Sequence, residues 1–491
     1  MIRSTGLHRG LGVAVGVGVA IAAGSASPPP AVAAEAPSVR LLGTERKVVI
    51  RPHGARRVPL GSLGTFVAAD GGELRIDVSR PSYSGWRAAQ VDGDSGAELR
   101  ELPASTLDGL RGLDRFLRVE VRRLGRPNSK PLAVVARPFC PNTGQRERVD
   151  DSGPAIPRYA YGCGDAFPFV RGMAWGLDAG WATKPRLGSV RVAPGRYRAT
   201  IRITDPYRTL FEIAGTDAET AVKLRVKRPR RHPGPNPVPI PLPELPGSAA
   251  DAAAEPLAAP VVADPDPATL PDLAALPLWN VRAQRRGKRD LIGFASSPWN
   301  AGPAPLTIEG FRQPGAEVMD AYQYFFDSSG EVVGKAPAGS MHFHRARGHH
   351  HWHFEQFARF SLVKPGGGET VRSRKQSFCI VPTDPVDMTV LGAEWLPDLN
   401  AGSSCGGPGS IWIRENLPAG WADTYYQSVA GQAFDITKVP NGRYLLRMEV
   451  NPRGEIHEAS TENNVVDRVV RLRGKRGARK VRVKPWNGIG A

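Results

Sequence analysis

A stretch dense in proline and alanine, residues 229–269, runs PRRHPGPNPVPIPLPELPGSAADAAAEPLAAPVVADPDPAT without a Phe, Tyr or Trp. Proline rings fix φ and remove the amide donors that a helix or sheet interior needs, so this segment reads as an extended, semi-rigid linker. Whatever folds must therefore fold on either side of it. Each side is long enough to bury its own core, and a composition of 41% hydrophobic and 23% charged residues argues against wholesale disorder.

Both flanks show the same texture. Upstream, Glu73 to Ser79 (ELRIDVS), Arg115 to Val121 (RFLRVEV), Leu132 to Ala136 and Tyr197 to Ile203 (YRATIRI) alternate or are rich in β-formers between Gly, Pro and Asp. Downstream, Asp320 to Phe326, Ser377 to Val381, Tyr444 to Val450 and Val465 to Leu472 continue it. Short runs of period two bounded by turn residues are strands. The expectation is a mainly β protein of two sandwich-like domains, residues 35–228 of unknown role and residues 270–472, joined by the linker. Internal repetition is limited to the tetrapeptide LPDL at 270–273 and 396–399, too short to mark a duplicated unit.

Residues 1–34 read as a signal peptide. Arg3 and Arg9 precede an apolar Gly/Val/Ala run from Gly10 to Gly24, and small residues at 32–34 offer a cleavage site before Glu35. No later segment approaches the roughly 18 apolar residues of a membrane span. A secreted, extracellular or wall-associated protein follows, and its four cysteines then suit disulfides. Three pairings are open; proximity in the chain favours Cys140 with Cys163 and Cys379 with Cys405.

The formal charge is +18, from 65 Lys and Arg against 47 Asp and Glu. Residues 276–470 carry 20 basic and 20 acidic side chains, while residues 471–484 carry eight basic ones and no acid. A balanced body with a basic tail, residues 473–491, suits an anionic polymer such as a cell-wall component better than sequence-specific nucleic-acid reading.

Six of the ten histidines crowd between His342 and His353, in MHFHRARGHHHWH. Extended backbone sends alternate side chains to one face, so His349, His351 and His353 share a side and His350, Trp352 and Phe354 the other. Three imidazoles converging on one point suit zinc, copper, iron or nickel. His344 and His350 read as outer or surface residues.

The region from Leu270 to Leu472 resembles the lysyl oxidases, copper-dependent amine oxidases. The resemblance is carried by HHHWHFEQF, like the family's copper-binding H-x-H-x-H followed by an acid and Phe; by RKQSFCIVPTD, like its K-x-S-F-C-L-x-D-T; by ADTYYQ, like its Y-D-T-Y; and by FDITKVPNGRYLLRMEVNP with the closing ENNVV. It implies copper(II) on His349, His351 and His353, and a lysine tyrosylquinone cofactor formed from Lys375 and Tyr425, with Tyr426 the alternative if the register shifts by one. It also implies oxidative deamination of a primary amine, such as peptidyl lysine, to an aldehyde, with hydrogen peroxide and ammonia released. C-I-V-P-T departs from the family's acidic C-L-x-D-T, and the animal members' Cys-rich character is lacking.

Asp423, two residues before Tyr425, shares its face if the chain is extended and is the candidate catalytic base. Glu355 shares parity with His353 and could orient a ligand imidazole or bind a substrate ammonium. Two rival readings use the same residues. One is a non-catalytic copper- or zinc-binding wall protein. The other is a cupin-type oxygenase on His349, His351 and Glu355, which lacks a later histidine in the right spacing, since His457 is the only one after His353.

Overall fold

Alternation in the sequence becomes paired strands on both sides of the linker. The computed structural model describes residues 36–52, 57–228, 258–312, 316–345, 350–373, 377–395, 405–429 and 431–490. The expected signal peptide, most of the linker, His349 and Lys375 lie outside these residues. Among the described residues the regular structure is almost entirely β, with one α-helix of six residues, Asp205–Leu210. None of the described helices is long and apolar enough to cross a membrane.

In the N-terminal half, β1 (Lys47–Ile50), β2 (Leu113–Arg123), β3 (Ala133–Phe139), β4 (Gly195–Ile203) and β5 (Glu219–Val226) form one sheet in the order 1-5-4-2-3. Its pairs are antiparallel except β1 on β5. A second sheet of Leu74–Ser79, Arg87–Val91, Glu98–Leu102 and Gly172–Leu177 belongs to the same half. The strands begin and end within a few residues of the alternating runs that signal them.

Downstream, β6 (Leu306–Phe311), β7 (Val318–Phe326), β8 (Val332–His344) and β9 (His351–Phe354) pair in succession, and β10 (Trp412–Leu417) closes on β6, giving the order 9-8-7-6-10. The other five-stranded sheet runs Glu369–Arg372, Ala358–Val363, β11 (Gly442–Val450), β12 (Val465–Arg473) and β13 (Lys480–Val483). Inward residues such as Tyr444, Leu446, Met448 and Val450 are buried while their neighbours are not, which is the pleat expressed as burial. β13 lies inside the stretch expected as a basic tail. Beyond it, Trp486 packs edge-on against Tyr83 at 5.2 Å.

Two sequence expectations change. Ser377 to Val381 is not a strand: only Phe378 pairs, in an isolated bridge to Phe354, because the backbone of Cys379 is engaged by a tyrosine hydroxyl and its side chain by a disulfide. The chain also repeats itself more than LPDL suggests. Val192-Ala-Pro-Gly-Arg-Tyr197 and Val439-Pro-Asn-Gly-Arg-Tyr444 open β4 and β11 alike, and each tyrosine hydroxyl donates to the carbonyl four residues back, Ala193 at 2.5 Å and Pro440 at 2.9 Å. Such tyrosine corners pin the entry of a sandwich strand. A six-residue echo separated by 247 positions is too short for a period to reveal it.

Both predicted disulfides are present, Cys140–Cys163 and Cys379–Cys405. The two halves share a continuous apolar core. Gly172 bridges to Asp387, and Met388 N–H donates to Gly172 O at 3.0 Å. A Cβ at Gly172 would meet the Asp387 carboxylate and the Thr389 hydroxyl, so a larger residue there would have to displace those side chains. Arg468, on the inner face of β12, is buried and donates to Leu278 O at 2.9 Å and to Lys484 O and Ile489 O at 3.4 and 3.3 Å. Burial lowers its pKa.

Candidate functional site

The histidines lie on a β-hairpin-like pair. β8 and β9 run antiparallel with His342 opposite His353 and His344 opposite His351, while Phe343 faces Trp352. Residues directly opposite share a face, so four imidazoles project from one side, with Trp352 buried on the other. His350 is exposed.

The rings converge. Nε2 of His351 and Nε2 of His353 stand 2.8 Å apart, and the ring centroids of His351–His353 and His344–His353 are each 4.7 Å apart. A nitrogen about 2.05 Å from a metal puts its ring centroid about 3.2 Å away, so two ligand rings at 90–110° should sit about 4.5–5.2 Å apart. Both pairs fall in that window. The described donor set, neutral imidazole from two strands, fits a borderline divalent ion such as copper or zinc. His344, read from sequence as an outer residue, is as close to His353 as His351 is. The missing signal was cross-strand register, which parity along one strand does not contain.

His353 is buried, and Ser377 Oγ lies 3.4 Å from its Nδ1. A partner at Nδ1 fixes the ring and directs Nε2 outward as a ligand. Glu355 does not continue the strand: it is the first residue of the turn after β9, and its N–H donates to Ser340 O at 3.0 Å.

Residues 377–379 connect the histidines to the tyrosine. Ser377 touches His353. Phe378 exchanges backbone hydrogen bonds with Phe354 at 2.7 and 3.0 Å. The Tyr425 hydroxyl donates to Cys379 O at 2.5 Å and accepts Cys379 N–H at 3.1 Å, while its ring meets Phe378 edge-on at 4.9 Å. Two residues of extended chain span about 7 Å, so this short segment links the residue that touches His353 to the one that holds the phenol. Lys375 precedes Ser377 by two residues. Tyr426 turns outward, 44% exposed, with its ring against Trp279.

The tyrosine segment is pinned residue by residue. Asp423 N–H donates to Pro298 O, Thr424 N–H to Thr383 Oγ1 and Tyr425 N–H to Ser296 O, at 2.9, 2.7 and 2.9 Å. Burial pushes the Tyr425 phenol well above its ordinary pKa, and the neighbouring Asp423 and Glu415 carboxyls add to this; the Asp423 side chain is in hydrogen-bonding range of the hydroxyl.

Glu415 is a residue that the sequence motifs do not single out. In β10 the inward residues are Ile413, Glu415 and Leu417, so an acid occupies a core position. Its Oε2 accepts Ile380 N–H at 2.9 Å, and burial, with Asp423 nearby, pushes its pKa well up. The alternation of WIRENL held that signal. Cys379, Cys405 and Glu415 also cluster, but the two sulfurs are bonded to each other and offer no thiolate for a metal. The disulfide serves β9 instead: Cys405 O accepts Trp352 N–H at 2.8 Å on the strand's open edge.

The lysyl oxidase family model matches residues 328–481, which contain both histidine strands, residues 377–379 and Tyr425. The C-terminal region is a lysyl oxidase domain. Similar proteins include lysyl oxidase homolog 3 of Homo sapiens, 27% identical over 132 residues, or 27% of this chain and 16% of that one. Lysyl oxidase homolog 2 of Gallus gallus is 30% identical over 129 residues, 26% of this chain and 15% of the relative. The match thus spans about a sixth of these relatives. The lysyl oxidase match begins within the sheet of β6 to β10 and runs into β13.

Proposed function

We propose that the chain is a secreted amine oxidase that uses copper(II) and a lysine tyrosylquinone to convert primary amines, peptidyl lysine among them, to aldehydes. The observation that carries this reading is the 377–379 segment, which holds a metal-competent imidazole cluster at one end and a buried phenol at the other. When present, copper and the quinone supply two-electron oxidation of the amine carbon with oxygen as acceptor, releasing hydrogen peroxide and ammonia.

The chain's own residues have separable tasks in this proposal. His351 and His353, with His349 and His344, hold the metal, and Ser377 keeps His353 in the tautomer that presents Nε2. Tyr425 and Lys375 are the cofactor precursors. The Cys379 peptide grips the phenol and fixes its distance from the imidazoles. Asp423 is the base: its carboxyl stands at the Tyr425 oxygen, where it can take and return a proton. Packing of Phe378 and Trp352 keeps water from the back of the site.

Peptide mass spectrometry of copper-grown protein tests this directly. Lys375 joined to Tyr425, together with amine-dependent peroxide release, is expected. Stoichiometric copper with neither cross-link nor peroxide would refute the oxidase and leave metal capture at a wall as the function.

A further inference from the structure

The positive excess is arranged in rows. Across the N-terminal sheet, Lys47 faces Lys223, Lys223 faces Arg198, and Arg198 faces Arg122. One step along, Arg196 faces Arg225. Across the C-terminal sheet, Arg443 faces Arg471 and Arg471 faces Arg482; one step along, Arg473 faces Lys480. The rows occupy the outward faces, since Tyr197, Leu224, Tyr444 and Val470 on the inner parity are buried.

Like charges directly opposite in a sheet are destabilising; elsewhere on these faces, even where Arg202 faces Arg118, acids sit beside the cations. Arg447 is matched by Asp467 at 2.7 Å, and Arg202 by Glu219 at 2.5 Å. Among the described residues of the rows, Arg122 alone has an acid within 4 Å, Glu120. Each set also lines a shallow hollow: about 430 Å³ beside Arg443, Arg471, Arg473, Arg482 and Lys484, and about 490 Å³ beside Arg51, Arg196, Arg225, Lys227 and Arg228. The device occurs twice, on the two hairpins that begin with the same tyrosine corner.

We propose that these two faces bind a linear, phosphate-bearing polyanion. Arginine dominates the rows, and its planar fork matches phosphate oxygens two at a time. Strands about 4.8 Å apart with alternate residues about 6.8 Å apart make a dense cation grid suited to a closely spaced charge, and two such faces on one chain raise avidity for a polymer. Among the described residues lining the two hollows there is no aromatic platform for nucleobases: Tyr197 and Tyr444 are buried with their hydroxyls committed to Ala193 and Pro440, and Val469, Val483 and Pro485 line the C-terminal hollow. This inference is independent of the oxidase chemistry. It replaces a tail-borne contact with an anionic polymer by two folded surfaces.

The test is binding of the full chain to inorganic polyphosphate over a range of salt, with Arg471→Glu, Lys223→Glu and, as a control of equal charge change for the pair, Arg186→Glu with Lys288→Glu. Each row variant places an acid between two cations, so its melting temperature should hold or rise while its Kd rises at least about tenfold and the salt slope falls by about 1–2. Unchanged affinity in both row variants, or an equal loss in the control pair, overturns the proposal. So does tighter binding, at matched charge, of oligo-dT, which would indicate base contacts, or of polygalacturonate, which would indicate carboxylate recognition.

Discussion

Glu415 offers the sharpest test of how the site is held. Its carboxyl is buried among Ile380, the disulfide and Asp423, and its pKa is raised, so the folded protein keeps it neutral over a pH range in which the unfolded chain, with a carboxyl near pKa 4.3, ionises it. The folded state then binds the extra proton, and stability falls as pH rises from the unfolded pKa through the folded one. One proton sets the ceiling: about 1.4 kcal/mol lost per pH unit. Glu415→Gln copies the neutral acid in shape and removes the titration. Measured by urea unfolding from pH 4 to 9, the variant's advantage over the parent should grow with pH by up to about 1.4 kcal/mol per unit and then level off. A difference independent of pH across that range would mean that Glu415 is already ionised in the fold, and the account of a carboxyl held neutral beside Tyr425 would fail.

Other outcomes follow from the same geometry. Ser377→Ala frees Nδ1 of His353 and should weaken copper binding about 10–100-fold by titration, with the fold intact by circular dichroism. Tyr425→Phe should abolish both the cross-link and amine-dependent peroxide, whereas Tyr426→Phe, altering an exposed ring, should keep both; the reverse pattern would shift the register by one. Replacing Cys379 and Cys405 by Ser opens a loop with a sequence separation of 26 and should cost about 3.5 kcal/mol by chain entropy, read by denaturant unfolding, with copper affinity falling because β9 loses the edge that Cys405 supports.

What the sequence makes legible is what repeats at short range. YRATIRI and YLLRMEV alternate, so their strands and buried faces follow from the residues alone. The odd-numbered histidines share a face for the same reason, and His351 and His353 do meet. His344 joins them through register between β8 and β9, a fact held by neither strand alone. Tyr425 comes to Cys379 across 46 residues, and nothing local foretells that a motif of K-x-S-F-C type will lose its strand character to clasp a phenol. Glu415 was readable in principle, as an acid at core parity. The cationic rows depend on pairings among strands up to 176 positions apart, whereas composition shows only that the positive charge exceeds the negative.

Arg468 has a consequence for anyone handling the chain. Its guanidinium is met by no carboxylate among the described residues; it relies on carbonyls contributed by Leu278, Lys484 and Ile489. Clipping the polypeptide ahead of Lys484 would take away two of those three acceptors and leave a cation stranded in apolar surroundings, so trimming the terminus for crystallisation or swapping it for an affinity handle should be expected to unseat the sandwich rather than tidy it.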